Sequence, residues 1–355
     1  PAIAMQLTLV VPELIWPEPE DHESLDALVC DGLNTLIARS RMTRRPPQSY
    51  EATLCDVFDL GENPAYAALR VLGEETGPAV ADACWLCADP VHLRLHQERL
   101  ILADGGSLEI ELAEALWIVD ELNRCFSDLG TFHVTAPDRW YLQLSRDTVL
   151  GRFDVLPRSA VTGRSVDRQL PETPDLRWLR RLLNEAQMVL HRHPANERRE
   201  AEGRSTINSL WLWGGGVLPE CRAQDFAGVW SNDPLARGLG HACGLPVHRL
   251  ADDATALLAR ATPGRSHLLV LDALQATVHY EDGGAYRQQL LELEARWFAP
   301  LQKALAGGRI RHLRLAASTA YATLAWESGR REQWRWWQRP RPLAATAQAL
   351  ARGES

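Results

Sequence analysis

The chain has 355 residues, enough for one large or two medium domains with cores of their own. Apolar residues at 46% and charged residues at 24% give the composition of an ordinary globular protein. A formal charge of −8 removes any general electrostatic reason to bind nucleic acid or an acidic membrane surface.

"MQLTLVVPEL" is an apolar run closed by Pro12 and predicts a buried first strand. The residues before and within it carry no charged leader and no long apolar run, so neither a signal peptide nor a membrane anchor is expected. "SLDALVCDGLNTLIARS" spaces its apolar residues as one helix face does and predicts a helix with Ser24 as N-cap. Arginines and prolines at 41–47 predict a loop, and "PAYAALRVLGEE" a helix started by Pro64. From about Ala83 the pattern changes. "ACWLCADPVHLRLHQERLILAD" predicts two strands, the acidic "SLEIELAEALWIVDELNRCFSDLG" a long amphipathic helix, and "TFHVTAPDRWYLQLS" further strands. Residues 152–174 read as an irregular crossing, and "DLRWLRRLLNEAQMVLHRHP" as a helix that Pro194 helps to stop.

Seven cysteines is an odd number, and only Cys84 and Cys87 form a C-x-x-C pair. That pair sits in an apolar strand-like run with no second pair at zinc-ligand spacing, so buried structural thiols in a reduced, cytoplasmic setting are expected. His191 with His193, and His92 with His96, lack a partner at metal-ligand spacing and read as structural.

"NSLWLWGGG", residues 208–216, alternates tryptophan with leucine and then stops on three glycines. Strand and helix patterns follow in turn: "DFAGVWS", "DPLARGLGHACG", "PVHRL", "DDATALLARA", "SHLLVLDA", "AYRQQLLELEARWFAPLQKALAG" and "RIRHLRLAAS". Such alternation predicts βα units and a mainly parallel sheet. Near the end, "GRREQWRWWQRPRP" interleaves Trp334, Trp336 and Trp337 with arginines, and reads as an edge strand, a protein-contact strip or, against the acidic whole, a single-strand nucleic-acid surface.

The block in which "LRRLLNEAQMVLHRHPANERREAEG" runs into "STINSLWLWGGG" resembles the archaeal-type cofactor-independent phosphoglycerate mutases. In that family a helix ending in a His-Pro-x-Asn-x-x-Arg motif precedes an Asn-Ser-x-Trp-Leu-Trp-Gly strand. The resemblance extends over roughly 85–320 and is strongest at 180–245. The chain is also similar to a bacterial branch named for a regulatory protein of a pathogenicity-factor gene cluster. The resemblance implies an α/β, alkaline-phosphatase-like fold: residues 1–84 and 201–355 form a mainly parallel sheet flanked by helices, and 85–200 an inserted α+β substrate-type lobe. It places the tryptophan strand in the sheet core near the hinge, with Gly214, Gly215 and Gly216 easing the turn. A phosphate cradle is the alternative, although "GGGVLPE" lacks P-loop and GxGxxG spacing.

The resembled enzymes hold two divalent metals on aspartates and histidines beside a hydroxyl nucleophile, and the metals neutralise a phosphoryl group and activate the attacking oxygen. The resemblance implies an Asp-Gly at the end of the first strand, where Pro12 and Glu13 stand here. It implies Asp-x-x-x-His after "SHLLVLD", where His279 survives with a one-residue slip and Asp272 lies too early. It implies an Asp-His pair where Ala317 and Ser318 stand, and a nucleophile near "YEATLCDVFDLG", which offers Thr53 and Cys55. Loss of three ligand segments predicts a non-catalytic protein with a regulatory or ligand-sensing role and no cofactor. The alternatives are a phosphomutase or phosphoesterase with a relocated Mn or Zn site on Glu13, Asp272 and His279, or a scaffold using the tryptophan-rich segment. The substrate side is better kept: Arg139, Asn196, Arg198 and Arg199, with Gly214 and Gly215, are the candidates for holding a small phosphorylated anion.

Overall fold

The computed structural model describes residues 4–61, 64–80, 82–96, 99–104, 106–146, 150, 153–162, 177–222, 224–329, 331–334 and 337–353. These divide into two compact units, Pro1–Phe58 with Arg222–Ser355, and Asp59–Cys221. The first unit opens with β1 (Met5–Val10), α1 (His22–Leu25), α2 (Asp31–Arg39), β2 (Arg41–Arg45) and α3 (Tyr50–Asp56). The second contains α4 (Tyr66–Gly73), β3 (Trp85–His96), β4 (Arg99–Asp104), α5 (Leu112–Cys125), β5 (Gly130–Ala136), β6 (Arg139–Leu144), α6 (Arg158–Val161), α7 (Arg177–His191), α8 (Pro194–Ala201) and β7 (Ser209–Gly216). The chain then returns to the first unit with β8 (Phe226–Trp230), α9 (Pro234–Ala242), β9 (Val247–His248), α10 (Ala254–Arg260), β10 (Ser266–Val270), α11 (Ala273–His279), α12 (Gly283–Leu293), α13 (Ala299–Ala306), β11 (Ile310–Ser318), β12 (Thr323–Gly329) and α14 (Leu343–Ala351).

Among the described residues, seven strands of the first unit form one sheet in the order β2-β12-β11-β1-β10-β8-β9. The run from β11 to β9 is parallel, and only β12 and β2 are antiparallel. This is the expected mixed α/β architecture with a mainly parallel central sheet. Met5, Leu7 and Leu9 of β1 point into one core layer with residues of α2, α10, α12 and α13, as the two-residue period of a strand requires. On the other side α3 and α9 pack on β11 and β8.

The second unit is built on an antiparallel sheet in which β3 pairs with β4, β6 and β7, and β5 pairs with β6. Leu210 and Leu212 of β7 join the core under α5 and α7. Trp211 and Trp213 point the other way: the Trp211 indole donates to the Leu156 carbonyl at 3.1 Å, and the Trp213 ring lies 5.9 Å from Tyr66 of α4. A Cβ on Gly214 would stand 2.9 Å from Tyr66 Cβ, so the glycine lets α4 sit directly on the strand, and its φ of 66° suits no other residue well.

Several expectations change. The tryptophan strand belongs to this second sheet, because its register is with β3, and the compact units break at 58/59 and 221/222 rather than at 84/85 and 200/201. The predicted helix behind Ser24 is two helices: Ser24 lies inside α1, the chain turns at Ala27 (φ 55°), and α2 begins after Cys30. Residues 41–45 form an edge strand whose exposed arginines discourage further pairing, where a loop was expected. Pro194 both follows α7 and opens α8. Where the tryptophan-rich tail is described, Glu332–Trp334 is a 3-10 turn and not a strand, and the edges of the sheet are β2 and β9. Trp336 and the side chain of Trp334 lie outside the described residues. No helix among the described residues is long and apolar enough to cross a membrane.

Candidate functional site

In a parallel α/β sheet the loops at the carboxyl ends of the strands converge on one edge, where such folds place their chemistry. β1 continues past its end through Val11 N donating to Ala316 O and Glu13 N donating to Ser318 O, both at 2.8 Å, with the donor-less Pro12 between them. Glu13 has φ 56°, a left-handed conformation uncommon for a residue with a side chain. Its Oε1 lies 3.9 Å from His279 Nε2, and both side chains are mostly buried.

β10 hands over to Asp272, which precedes α11, and Leu271 N still donates to Val10 O at 2.9 Å. Asp272 and His279 therefore occupy opposite ends of a seven-residue helix, a separation of about 10 Å at 1.5 Å per residue. The three acid and imidazole candidates thus split: Glu13 meets His279, while Asp272 lies at the other end of α11. Among the described residues, no group of three or more His, Cys, Asp or Glu side chains converges as a metal site would require. The donor set does not fit the two divalent ions that the resemblance implies.

Asp272 instead shares a neighbour with Asp233. Asp233 follows β8 and caps α9, its Oδ2 accepting from Ala236 N at 2.8 Å. Tyr50, at the start of α3, is fully enclosed beside both carboxylates; burial first, then Asp233 and Asp272, pushes its hydroxyl well above the ordinary tyrosine range. Thr53 lies one turn further along α3, which packs on β11. The Oγ1 of Thr53 and the Oγ of Ser318 are both buried without a hydrogen-bond partner among the described residues. Cys55 is enclosed on the same helix, and Ala317 is enclosed in β11. This edge therefore brings together carboxylates, buried hydroxyls and the His279 imidazole. Tyr50 and Asp233 carried no weight in the sequence reading, although "SNDP" before an apolar helix signals an N-cap aspartate.

The anion candidates all lie in the second unit, and most have protein partners. Arg139 forks onto Glu74, Nε to Oε1 at 2.8 Å and Nη2 to Oε2 at 3.1 Å, and Tyr141 donates to the same carboxylate at 2.6 Å. Arg199 is fully buried: Nε donates to Ser205 O at 2.6 Å, Nη1 to Glu114 Oε2 at 2.8 Å, and Nη2 to Leu108 O. Asn196 ties α7 to the approach of β7, donating to Leu190 O and Ile207 O and accepting from Ile207 N. Arg198 is exposed, its guanidinium 5.5 Å from the centre of the Trp117 ring. Gly215 is crowded, since a Cβ there would stand 2.4 Å from Leu150 Cδ2.

A buried charge network was missed altogether. Arg70 pairs with Asp89 at 3.2 Å, donates to the Cys87 sulfur, and lies 5.0 Å from the centre of the Trp213 ring. The Trp213 indole donates to the same Asp89 oxygen at 2.9 Å, which explains the tryptophan before the glycines. Burial pushes the Cys87 thiol up to about 12, so it stays protonated; Cys84 is half-buried, and all seven cysteines are free thiols. The visible sequence signal was Asp89 in an otherwise apolar strand. One histidine of each pair makes a structural contact: His193 Nδ1 accepts from Ala195 N, and His92 Nδ1 bonds to the Thr206 carbonyl.

No family model matches the chain. It is 34% identical over 222 residues to the probable 2,3-bisphosphoglycerate-independent phosphoglycerate mutase of Geobacter sulfurreducens, covering 59% of this chain and 54% of that protein. It is 26% identical over 236 residues to the 2,3-bisphosphoglycerate-independent phosphoglycerate mutase of Methanosarcina mazei, covering 63% of this chain and 58% of that one. The chain thus spans somewhat over half the length of these relatives. The solved PH0037 protein from Pyrococcus horikoshii shares the fold at a TM-score of 0.55 and 14% identity, over 92% of this chain and 88% of that one.

Proposed function

We propose that this chain, which is similar to the 2,3-bisphosphoglycerate-independent phosphoglycerate mutases, is a non-catalytic member of that family with a regulatory or ligand-sensing role. One observation carries the reading. At the carboxyl edge of the sheet, Glu13 and His279 meet while Asp272 is a helix length away, and Pro12, Ala317 and Ser318 stand where ligands are needed. Without converging donors, the neutralisation of a transferring phosphoryl group has no ionic support.

The ligand sensed is a small phosphorylated anion. Arg198 is the exposed guanidinium of the motif, while Arg139 and Arg199 would exchange Glu74 and Glu114 for the anion. Because that exchange opposes binding, affinity is millimolar to high micromolar and falls with salt. The test is turnover. Purified protein with excess manganese leaves 2- and 3-phosphoglycerate unconverted; robust interconversion that disappears in His279→Ala would overturn the proposal.

The competing reading is a phosphoesterase with a relocated Mn or Zn site. It draws on Asp233 and Asp272 beside Tyr50, and on the two buried hydroxyls of Thr53 and Ser318. Metal-stimulated hydrolysis of a simple phosphomonoester, abolished by Asp272→Asn, would select it.

A further inference from the structure

Away from that edge, α2, the loop after the 3-10 turn and the start of α14 enclose a cavity of about 570 Å³. Volumes of roughly 300–1,000 Å³ are those of small-molecule sites. Its wall combines three chemistries. Trp337 is largely exposed and offers a broad aromatic face. Arg339 and Arg341 contribute two guanidiniums, and among the described residues no acidic side chain lines the cavity, although acidic residues outnumber basic ones in the whole chain. Asn34 Oδ1 and Gln338 Oε1, both of lining residues, are shielded from water and accept no hydrogen bond among the described residues; Thr346 adds a hydroxyl.

Each feature asks for a complementary group. An aromatic face stacks on a flat unsaturated ring, and arginine guanidiniums fork onto a phosphate. Buried acceptors without donors are costly unless an incoming N–H satisfies them. A planar body, an N–H donor and an anion on one molecule define an aminopurine nucleotide. We propose that this cavity binds a purine mononucleotide, the base on Trp337 with its amino group towards Asn34 and Gln338, and the phosphate on Arg339 and Arg341. The proposal goes beyond the mutase-like reading and does not depend on it.

The test uses the whole chain, titrated by calorimetry in low salt with adenosine monophosphate, inosine monophosphate, adenosine and inorganic phosphate in turn. Adenosine monophosphate binds; the inosine nucleotide, which replaces the amino donor by a carbonyl, binds several-fold more weakly; adenosine and phosphate alone bind at least about tenfold more weakly. Arg339→Ala with Arg341→Ala, and separately Trp337→Leu, each weaken the nucleotide about tenfold or more, with circular dichroism reporting that the exposed substitutions leave the fold intact. Absence of nucleotide binding up to millimolar concentration overturns the proposal. So does equal binding of both nucleotides and phosphate, which would mark a bare anion patch. Nucleotide binding that both variants leave unchanged overturns it too, since it would place the ligand elsewhere on the chain.

Discussion

Arg199 is fully enclosed, and each nitrogen of its guanidinium has a partner: Ser205 O, Glu114 and Leu108 O. Burial first, with the Arg204 charge beside it, pulls its pKa below the ordinary arginine value, and Glu114 opposes that shift. Removing one side of such a pair leaves the other charge uncompensated, so Arg199→Ala lowers unfolding stability by about 3–5 kcal/mol. Arg198→Ala, losing only an exposed contact over Trp117, costs about 0.5–1 kcal/mol. Urea denaturation of the two variants separates them, and equal small losses would show that Arg199 is not structural. Gly214→Ala must adopt φ 66° and press on Tyr66, which costs about 1–3 kcal/mol. A stabilised Gly214→Ala variant would contradict the close seating of α4 on β7.

At the scale of elements, α2 shows how a distant residue starts a helix. Cys30 provides no side-chain cap; Glu294, from the π-turn Glu294–Phe298, accepts from Gly32 N at 2.7 Å and Leu33 N at 3.0 Å. A carboxylate at a helix N-terminus also favours the dipole. Glu294→Ala therefore lowers stability by about 1–2 kcal/mol. It also speeds hydrogen exchange most at the amides of Gly32 and Leu33; unchanged exchange there would refute the cap. This cap could not be read locally, since Glu294 is 262 residues away from Gly32. β1, β10 and the strand-helix alternation were legible because apolar periodicity is a local signal. α11 was not legible, because "ALQATVHYEDGG" has few apolar residues to show a face, nor was β2, whose arginines mimic a loop while backbone pairing with β12 decides. At the candidate site, the pairing of Glu13 with His279 was within reach of the sequence. The carboxylates around Tyr50 were not, because loops after three strands must be superposed to bring them together.

For the whole molecule, buried histidines set the response to acid. His267 Nε2 bonds to the Thr262 carbonyl, which only accepts, and Nδ1 receives the Trp230 indole N–H, so the ring is neutral. Burial first, and Arg265 with it, holds His267 below its ordinary value of 6.5; burial lowers His133, His193 and His248 in the same direction. A depressed folded pKa means the unfolded chain takes up protons first as pH falls. The associated stability is full above about pH 6.5 and is lost below it, towards the folded values. Melting temperature therefore falls between about pH 7 and pH 5, and His267→Gln flattens that dependence. A profile that rises on acidification, or one that His267→Gln leaves unchanged, would contradict the assignment. The central claim, that the carboxyl edge of the parallel sheet lacks a two-metal centre, is tested most directly by anomalous scattering from crystals grown with excess manganese. The account predicts no ordered ion among Glu13, Asp272 and His279. Two strong peaks there, with Asp272 drawn to the ions, would contradict it.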